Sequence, residues 1–277
     1  MSILIFSLIL LLGAYLAGLV GSLTGLGGGV VVIPLLTLVF HVDIRYAIGA
    51  ALLASIANSS GAASAYIKEG ITNIRLGMFL EIATTVGAVI GALIAIYTPT
   101  NTIAMLFGAI LLFSAAMTLR KKNQEALTEG SRLSYLLKLN SSYPTAKGEV
   151  AYKLKNVGAG FSIMTVAGVV SGLLGIGSGA LKVLAMDTAM RIPFKVSTTT
   201  SNFMIGVTAA ASAVVYLQRG YMDPGIAFPV VLGVLGGAFT GAKLLTKINP
   251  SVLRIIFCIA ITFVAIEMIY NGYHHKF

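Results

Sequence analysis

Displacing the chain by 150 residues brings its two halves into register without a gap, and an internal repeat constrains a fold more than any local motif does. Ala17-Gly18-Leu19-Val20 falls on Ala167-Gly168-Val169-Val170, and GLGGG from Gly25 falls on GIGSG from Gly175. Tyr66 meets Tyr216, Gly70 meets Gly220, and Gly87 and Gly91 meet Gly237 and Gly241. Gly and Ala are common here, so single matches carry little; the register shared by 17–92 and 167–242 carries more.

Each half divides into five apolar segments, at 3–20, 30–40, 46–67, 76–97 and 102–120, then at 157–174, 180–190, 196–217, 225–247 and 252–270. Only 10% of the 277 residues are charged, against roughly 25% in a soluble domain. The long segments are comparable with the ~20 apolar residues that cross a bilayer. A soluble fold is excluded, and the expected class is an all-α polytopic membrane protein. The segments at 30–40 and 180–190 are too short to cross, since ~11 residues rise ~16 Å against a hydrocarbon core of ~30 Å. They are half-helices or parts of a re-entrant hairpin. The chain then divides into an N-terminal membrane repeat (1–120), a basic connection (121–155) and a C-terminal membrane repeat (156–277). Each repeat has about three full spans and a partner helix. The run from Ser2 to Val20 has no basic residue before Ile3 and has a counterpart in the second half, so it reads as structure rather than a cleaved signal.

An odd number of segments per half makes the halves inverted repeats, as in many secondary transporters. A net charge of +10 would suggest nucleic acid in a soluble domain, but here it reports topology. With the 121–155 connection cytoplasmic, 15 of the 19 basic residues fall on the cytoplasmic side; Arg45, Arg219 and Lys276 fall outside, and Lys182 is left within the membrane. The positive-inside rule supports this orientation, with both termini extracytoplasmic. The partners expected are the bilayer and a small solute, not nucleic acid. The connection reads as a solvated loop near anionic lipid.

Glycines cluster at the start of both short segments, GSLTGLGGGVVVIP from Gly21 and SGLLGIGSGALKVL from Ser171. Gly25, Gly27, Gly28 and Gly29, with Gly175, Gly177, Ser178 and Gly179, permit broken backbone, which at membrane depth must be buried or line a cavity. The amides there and the half-helix N-termini would favour an anion at the midplane. The plainer reading is close helix crossing. Lys182 follows the second cluster and faces Val32 in the repeat, so the repeat does not require it; it binds an anion, pairs with Asp187, or snorkels to an interface. Glu81 and Glu267 read as near-interface carboxylates, with Glu81 and Asp187 as candidates for ion coupling. A second polar band comprises Ser55, Asn58 and Ser59 on one helical face, and Thr200, Ser201 and Asn202 within the run from Ser197. Such groups donate to an oxyanion without a buried charge, or bond their own helix. Gly87/Gly91 and Gly233/Gly237/Gly241 are packing faces between the halves or between protomers of a homodimer.

Cys258 alone forms no intramolecular disulfide or multi-cysteine site, and His41, His274 and His275 lack metal-ligand spacing inside the membrane. No nucleophile and base stand at a suggestive spacing. Neither catalysis, metal nor cofactor is expected.

GLGGGVVVIP (Gly25 to Pro34), a small-residue helix ending in Tyr66-x-x-x-Gly70, then a GxxxG helix, all repeated after a basic connection, resembles the TauE/SafE sulfite exporter family, also called TSUP. The resemblance covers nearly the whole chain. It implies a secondary transporter of sulfite, thiosulfate, sulfonates or related organic acids in the cytoplasmic membrane, often in export. The second cluster departs from the first, with Leu184 where the first has Pro34, so the two half-sites are not expected to be equivalent. The expected mechanism is alternating access, with proton coupling as one way to set direction. An anion channel and a small-solute or metal-ion permease are the alternatives.

Overall fold

A computed structural model describes residues 3–24, 27–68, 70–119, 130–145, 148–244 and 250–274. The first half runs α1 (Ile3–Thr24), α2 (Gly29–Pro34), α3 (Ile44–Lys68), α4 (Ile74–Tyr97) and α5 (Thr100–Leu119). The connection holds α6 (Arg132–Leu136) and an antiparallel hairpin, β1 (Ser141–Thr145) and β2 (Gly148–Tyr152). The second half repeats the first as α7 (Val157–Leu174), α8 (Gly179–Leu184), α9 (Phe194–Gln218), α10 (Pro224–Leu244) and α11 (Pro250–Tyr273). Among the described residues α1, α4, α7, α9 and α10 contain stretches long and apolar enough to cross a bilayer.

Both short helices end in the same way. α2 passes directly into a π-helical turn at Leu35–Val39, and α8 into one at Ala185–Ala189. His41 and Arg191 then take left-handed backbone, with φ of 52° and 55°. The N–H of Val42 donates to the Leu36 carbonyl and that of Ile192 to the Met186 carbonyl, both at 3.0 Å. Such left-handed caps satisfy the last carbonyls of a helix. Pro34 is not the cause of the π turn, because the second copy forms it with Leu184.

The halves are held together by exchanged crossings, α1 against α10 and α4 against α7. A Cβ on Gly18 would strike the Val234 carbonyl, and one on Gly168 the Thr84 carbonyl. Gly237 lies against Tyr15 and Gly87 against Thr165; Gly241 lies against Leu19 and Gly91 against Val169. Every such contact recurs at the 150-residue offset with the halves exchanged, which is the signature of an approximate two-fold relation. The GxxxG faces are therefore used within the chain. Close approach of backbones suits a membrane interior, where association depends on van der Waals packing. The opposite faces carry large exposed apolar residues, such as Leu8, Leu12 and Leu16 on α1 and Met78, Ile82 and Val86 on α4.

The connection departs from the solvated loop expected of it. Leu139, Tyr152 and Leu154 are buried with Ile71, Leu76, Met186 and Met190, an apolar set too sparse to stand out among the basic residues. Asn73 joins the parts. Its side-chain oxygen caps α4 by accepting from the Leu76 N–H (3.0 Å), and its Nδ2 donates to the Leu139 carbonyl and to Tyr152 Oη, both at 2.9 Å. Its backbone N–H donates to Thr200 Oγ1 at 3.1 Å. Burial pushes the Tyr152 hydroxyl up to about 12 against the opposing effect of the Asn73 bond, so it stays neutral. Asn73→Ala removes a cap and takes a partner from the Leu139 carbonyl and from the Tyr152 hydroxyl, which keeps its bond with Ser141. The expected cost is about 2–3 kcal/mol, read as a lower melting temperature of the detergent-solubilised protein.

Candidate functional site

α1 and α7 both lead into turns that need glycine. Gly27, Gly175 and Gly177 have φ of 83°, 68° and 66°, a region that side chains disfavour. The turns abut. A Cβ on Gly29 would stand 2.8 Å from the Gly175 carbonyl oxygen and 2.9 Å from Ser55 Oγ, and one on Gly27 would stand 3.5 Å from the Ile176 carbonyl oxygen. Ile205 of α9 fills the space beside both, within 3.6 Å of a Cβ on Gly27 and 2.8 Å of one on Gly177. The copies differ in one backbone: Ser178 is left-handed, at φ 46°, while its counterpart Gly28 is right-handed, at −66°. Gly28 lies against Asn58: a Cβ added to it would stand 3.8 Å from the Asn58 Cβ.

Unpaired polar atoms gather around these turns. Ser55 Oγ, both amide atoms of Asn58, Ser178 Oγ and both amide atoms of Asn202 are buried and have no protein partner. Each such group costs about 1–3 kcal/mol relative to a bonded one, and several together mark a place built for a polar ligand or ordered water. Asn58 and Asn202 are fully buried, so the cluster is closed to both faces of the molecule. A narrow, mainly apolar crevice lined by Val30, Ile110, Ile176 and Leu181 adjoins Ser178.

Lys182 is also completely buried. Its Nζ donates to Thr208 Oγ1 and lies 4.0 Å from Glu81 Oε2, while the Thr208 hydroxyl donates to Glu81 Oε1. Thr85 Oγ1 donates to the same carboxylate oxygen at 3.3 Å. The pair joins the halves, with Glu81 on α4 and Lys182 on α8. A buried ion pair of this kind contributes little net stability, yet losing one member is costly.

The structure sorts the residues singled out from the sequence. Gly27, Gly28, Gly29, Gly175, Gly177, Ser178, Asn58 and Asn202 form the cluster, and Gly25 lies outside the described residues. Ser59 donates to the Asn202 carbonyl, and Ser201 Oγ donates to the Gly179 carbonyl at 3.2 Å; these two fix α3 and the second turn to α9. Thr200 faces the other way, bonded to Asn73. Asp187 is half-exposed in the π turn, and the carboxylate beside Lys182 is Glu81 instead. Glu81, read from the sequence as near-interface, is only 7% exposed. Thr208 and Ile205 were not anticipated. The offset that defines the repeat places Thr208 opposite Asn58 and Ile205 opposite Ser55, and this was the available signal. Among the described residues no three His, Cys, Asp or Glu side chains stand together as metal ligands would.

The family model described as sulfite exporter TauE/SafE matches residues 10–268. The chain is 28% identical over 274 residues to the probable membrane transporter protein YunE of Bacillus subtilis (strain 168), covering 96% of this chain and 98% of that protein. It is 26% identical to the probable membrane transporter protein YdhB of the same strain, over 89% of this chain and 93% of that one. It is 24% identical to the probable membrane transporter protein MJ0441 of Methanocaldococcus jannaschii, over 90% of each. No solved structure matches the chain significantly. With a family match spanning nearly its whole length and five helices able to cross a bilayer, the chain belongs to the sulfite exporter TauE/SafE family and is a multi-pass membrane transporter.

Proposed function

We propose that this protein is a secondary transporter of a small anion, of the sulfite, thiosulfate, sulfonate or related organic acid class, working by alternating access in the cytoplasmic membrane. The observation that carries the reading is the closed cluster of unpaired amides and hydroxyls where the two glycine turns meet, with a buried lysine nearby. Amide N–H and hydroxyl groups supply donors to an oxyanion, and backbone N–H groups at such turns can add more. Reciprocal crossings at the 150-residue offset and an odd number of apolar segments per half support inverted repeats, which rock about a central site. The bias of basic residues supports a cytoplasmic connection and extracytoplasmic termini. The direction of net movement follows from whichever ion gradient is coupled to the anion. A channel is less well supported, since it needs a continuous polar lining, whereas most of the unpaired groups belong to the two turns and the helix faces beside them, and Arg45, Thr72, Glu81 and Thr198 contribute isolated atoms elsewhere.

Exchange of labelled sulfite, thiosulfate and an organosulfonate across proteoliposomes tests the reading. At least one of the three is expected to move; if none moves while a divalent cation does, the anion reading is wrong. Asn58→Ala and Asn202→Ala are each expected to weaken the anion's half-saturation about tenfold or more, at ~1.5–3 kcal/mol per hydrogen bond to a charged group. Their melting temperatures should not fall, because neither amide bonds the protein.

A further inference from the structure

Lys182 and Glu81 have no charged counterparts in the repeat, where the offset places Val32 and Val231. The fold therefore accommodates apolar side chains at both positions, and the pair is not needed to build it. Among the described residues, Lys182 is the charge recorded within ion-pair reach of Glu81. α7, packed along α4, carries no titratable side chain, and α8 carries only Lys182. α9 offers Lys195, exposed at its start, and Tyr216 near its end, whose hydroxyl donates to the Gly172 carbonyl at 3.3 Å. On α4 itself Arg75 donates to the Lys138 carbonyl in the connection. Asp187 in the neighbouring π turn is half-exposed.

We propose that Glu81 is the proton carrier of this transporter, and that its protonation frees Lys182 to receive the anion, so that one proton and one monoanion load together. The proposal rests on the anion-transport reading above. With Glu81 ionised, the ammonium is neutralised by the carboxylate, and the Thr208 hydroxyl, which also lies 3.1 Å from the Met204 carbonyl, bridges the two. An incoming anion then meets Glu81 as well as Lys182. Once a proton occupies Glu81, the ammonium stands alone in a low-dielectric interior, where a bare charge is expensive. The Thr208 hydroxyl, no longer drawn to a charged carboxylate, can turn from it or from the Met204 carbonyl to donate to the anion that compensates the lysine.

The charge arithmetic supplies the coupling. The empty site with ionised Glu81 is neutral, and so is the loaded site with neutral Glu81, Lys182 as ammonium and a monoanion. The two remaining states, one with the proton but no anion and one with the anion but no proton, carry a net buried charge. Only the neutral states change access readily, so proton and anion cross in the same direction and the cycle moves no net charge. Glu81 is the member nearer the surface, with its side chain 9% exposed against 0% for Lys182, and is placed to exchange the proton.

The test uses a labelled alkanesulfonate, which stays monoanionic across the pH range, in proteoliposomes of the wild type and of Glu81→Gln. Three arms are measured: exchange at equal pH without potential, net flux driven by a pH gradient with the potential clamped at zero, and net flux driven by potential alone. The wild type should exchange the anion, accumulate it about tenfold per pH unit, the ratio for one-to-one coupling, and not respond to potential. Glu81→Gln mimics the protonated carboxyl, so its loaded site still changes access while its empty site carries a stranded ammonium. It should keep exchange within about threefold and lose pH-driven net flux more than tenfold. Wild-type exchange without pH-driven accumulation overturns the proposal, as does a folded Glu81→Gln that keeps pH-driven flux or loses exchange. If the variant does not fold, the wild-type arms decide. Absence of wild-type alkanesulfonate exchange overturns the coupling proposal, and absence of sulfite and thiosulfate exchange as well overturns the anion reading itself.

Discussion

Lys182→Met is expected to abolish anion exchange and to lower the stability of the protein by about 3–5 kcal/mol, the usual cost of removing one member of a buried ion pair. The methionine fills nearly the same volume, so packing alone does not account for a loss of that size. Glu81 would be left with the Thr208 and Thr85 hydroxyls and no compensating charge. Adding Glu81→Gln to the same chain removes the stranded carboxylate and should restore most of the melting temperature while leaving exchange abolished. A purely structural ion pair predicts the opposite for transport, with activity returning alongside stability. Lys147→Ala, in the basic connection, is the comparison, and it should leave exchange unchanged. Snorkelling predicts equal effects for the two lysines, but the complete burial of Lys182 already argues against an ammonium that reaches an interface.

Much of this architecture was legible in the sequence because a membrane chain writes its helices as charge-free runs. All ten apolar segments became helices, and the two short ones became α2 and α8 with their π turns. The convergence of the glycine turns followed from broken backbone at a depth where it must be buried. What the sequence concealed depends on which side of a helix faces which neighbour. Glu81 and Lys182 are separated by 101 positions and lie in different halves, so no local spacing pairs them. Asp187 stood nearer to Lys182 in sequence but belongs to a turn that faces partly outward. Thr200 and Asn202 are two residues apart, hence on different faces of α9: Thr200 bonds Asn73, whereas the Asn202 amide is buried without a protein partner. The connection misled for a different reason. Its basic residues dominate the composition, whereas its docking depends on a few buried groups, chiefly Asn73, Leu139 and Tyr152.

Gly91→Ala is expected to be among the most damaging single-methyl changes in the molecule. A Cβ at this position would overlap the Val169 carbonyl and approach the Leu173 nitrogen at 2.9 Å. Both are helix backbone, which cannot swing aside as a side chain does. α4 and α7 must therefore separate, and the neighbouring crossings at Gly87, Gly168 and Gly172 lose contact with them. Overpacking of a core costs about 1–3 kcal/mol, and a shared seam places this change at or above the upper end. The equivalent substitution in the other seam, Gly241→Ala, should cost less, because part of its clash is with the Ser22 hydroxyl, a side chain able to rotate, and the Leu19 carbonyl stands at 2.7 Å. Gly158→Ala meets nothing within 4 Å and should be neutral or stabilising by up to ~1 kcal/mol through helix propensity. The two seams also differ in what they carry. α4 holds Glu81, and α7 ends at the Gly175 turn, so a wider α4–α7 crossing moves the carboxylate away from Lys182. Gly91→Ala should accordingly lose pH-driven transport at temperatures where it remains folded, whereas Gly241→Ala should lose stability with less effect on coupling. Equal transport losses from the two substitutions would mean that the geometry of the Glu81–Lys182 pair is not set by the α4–α7 seam.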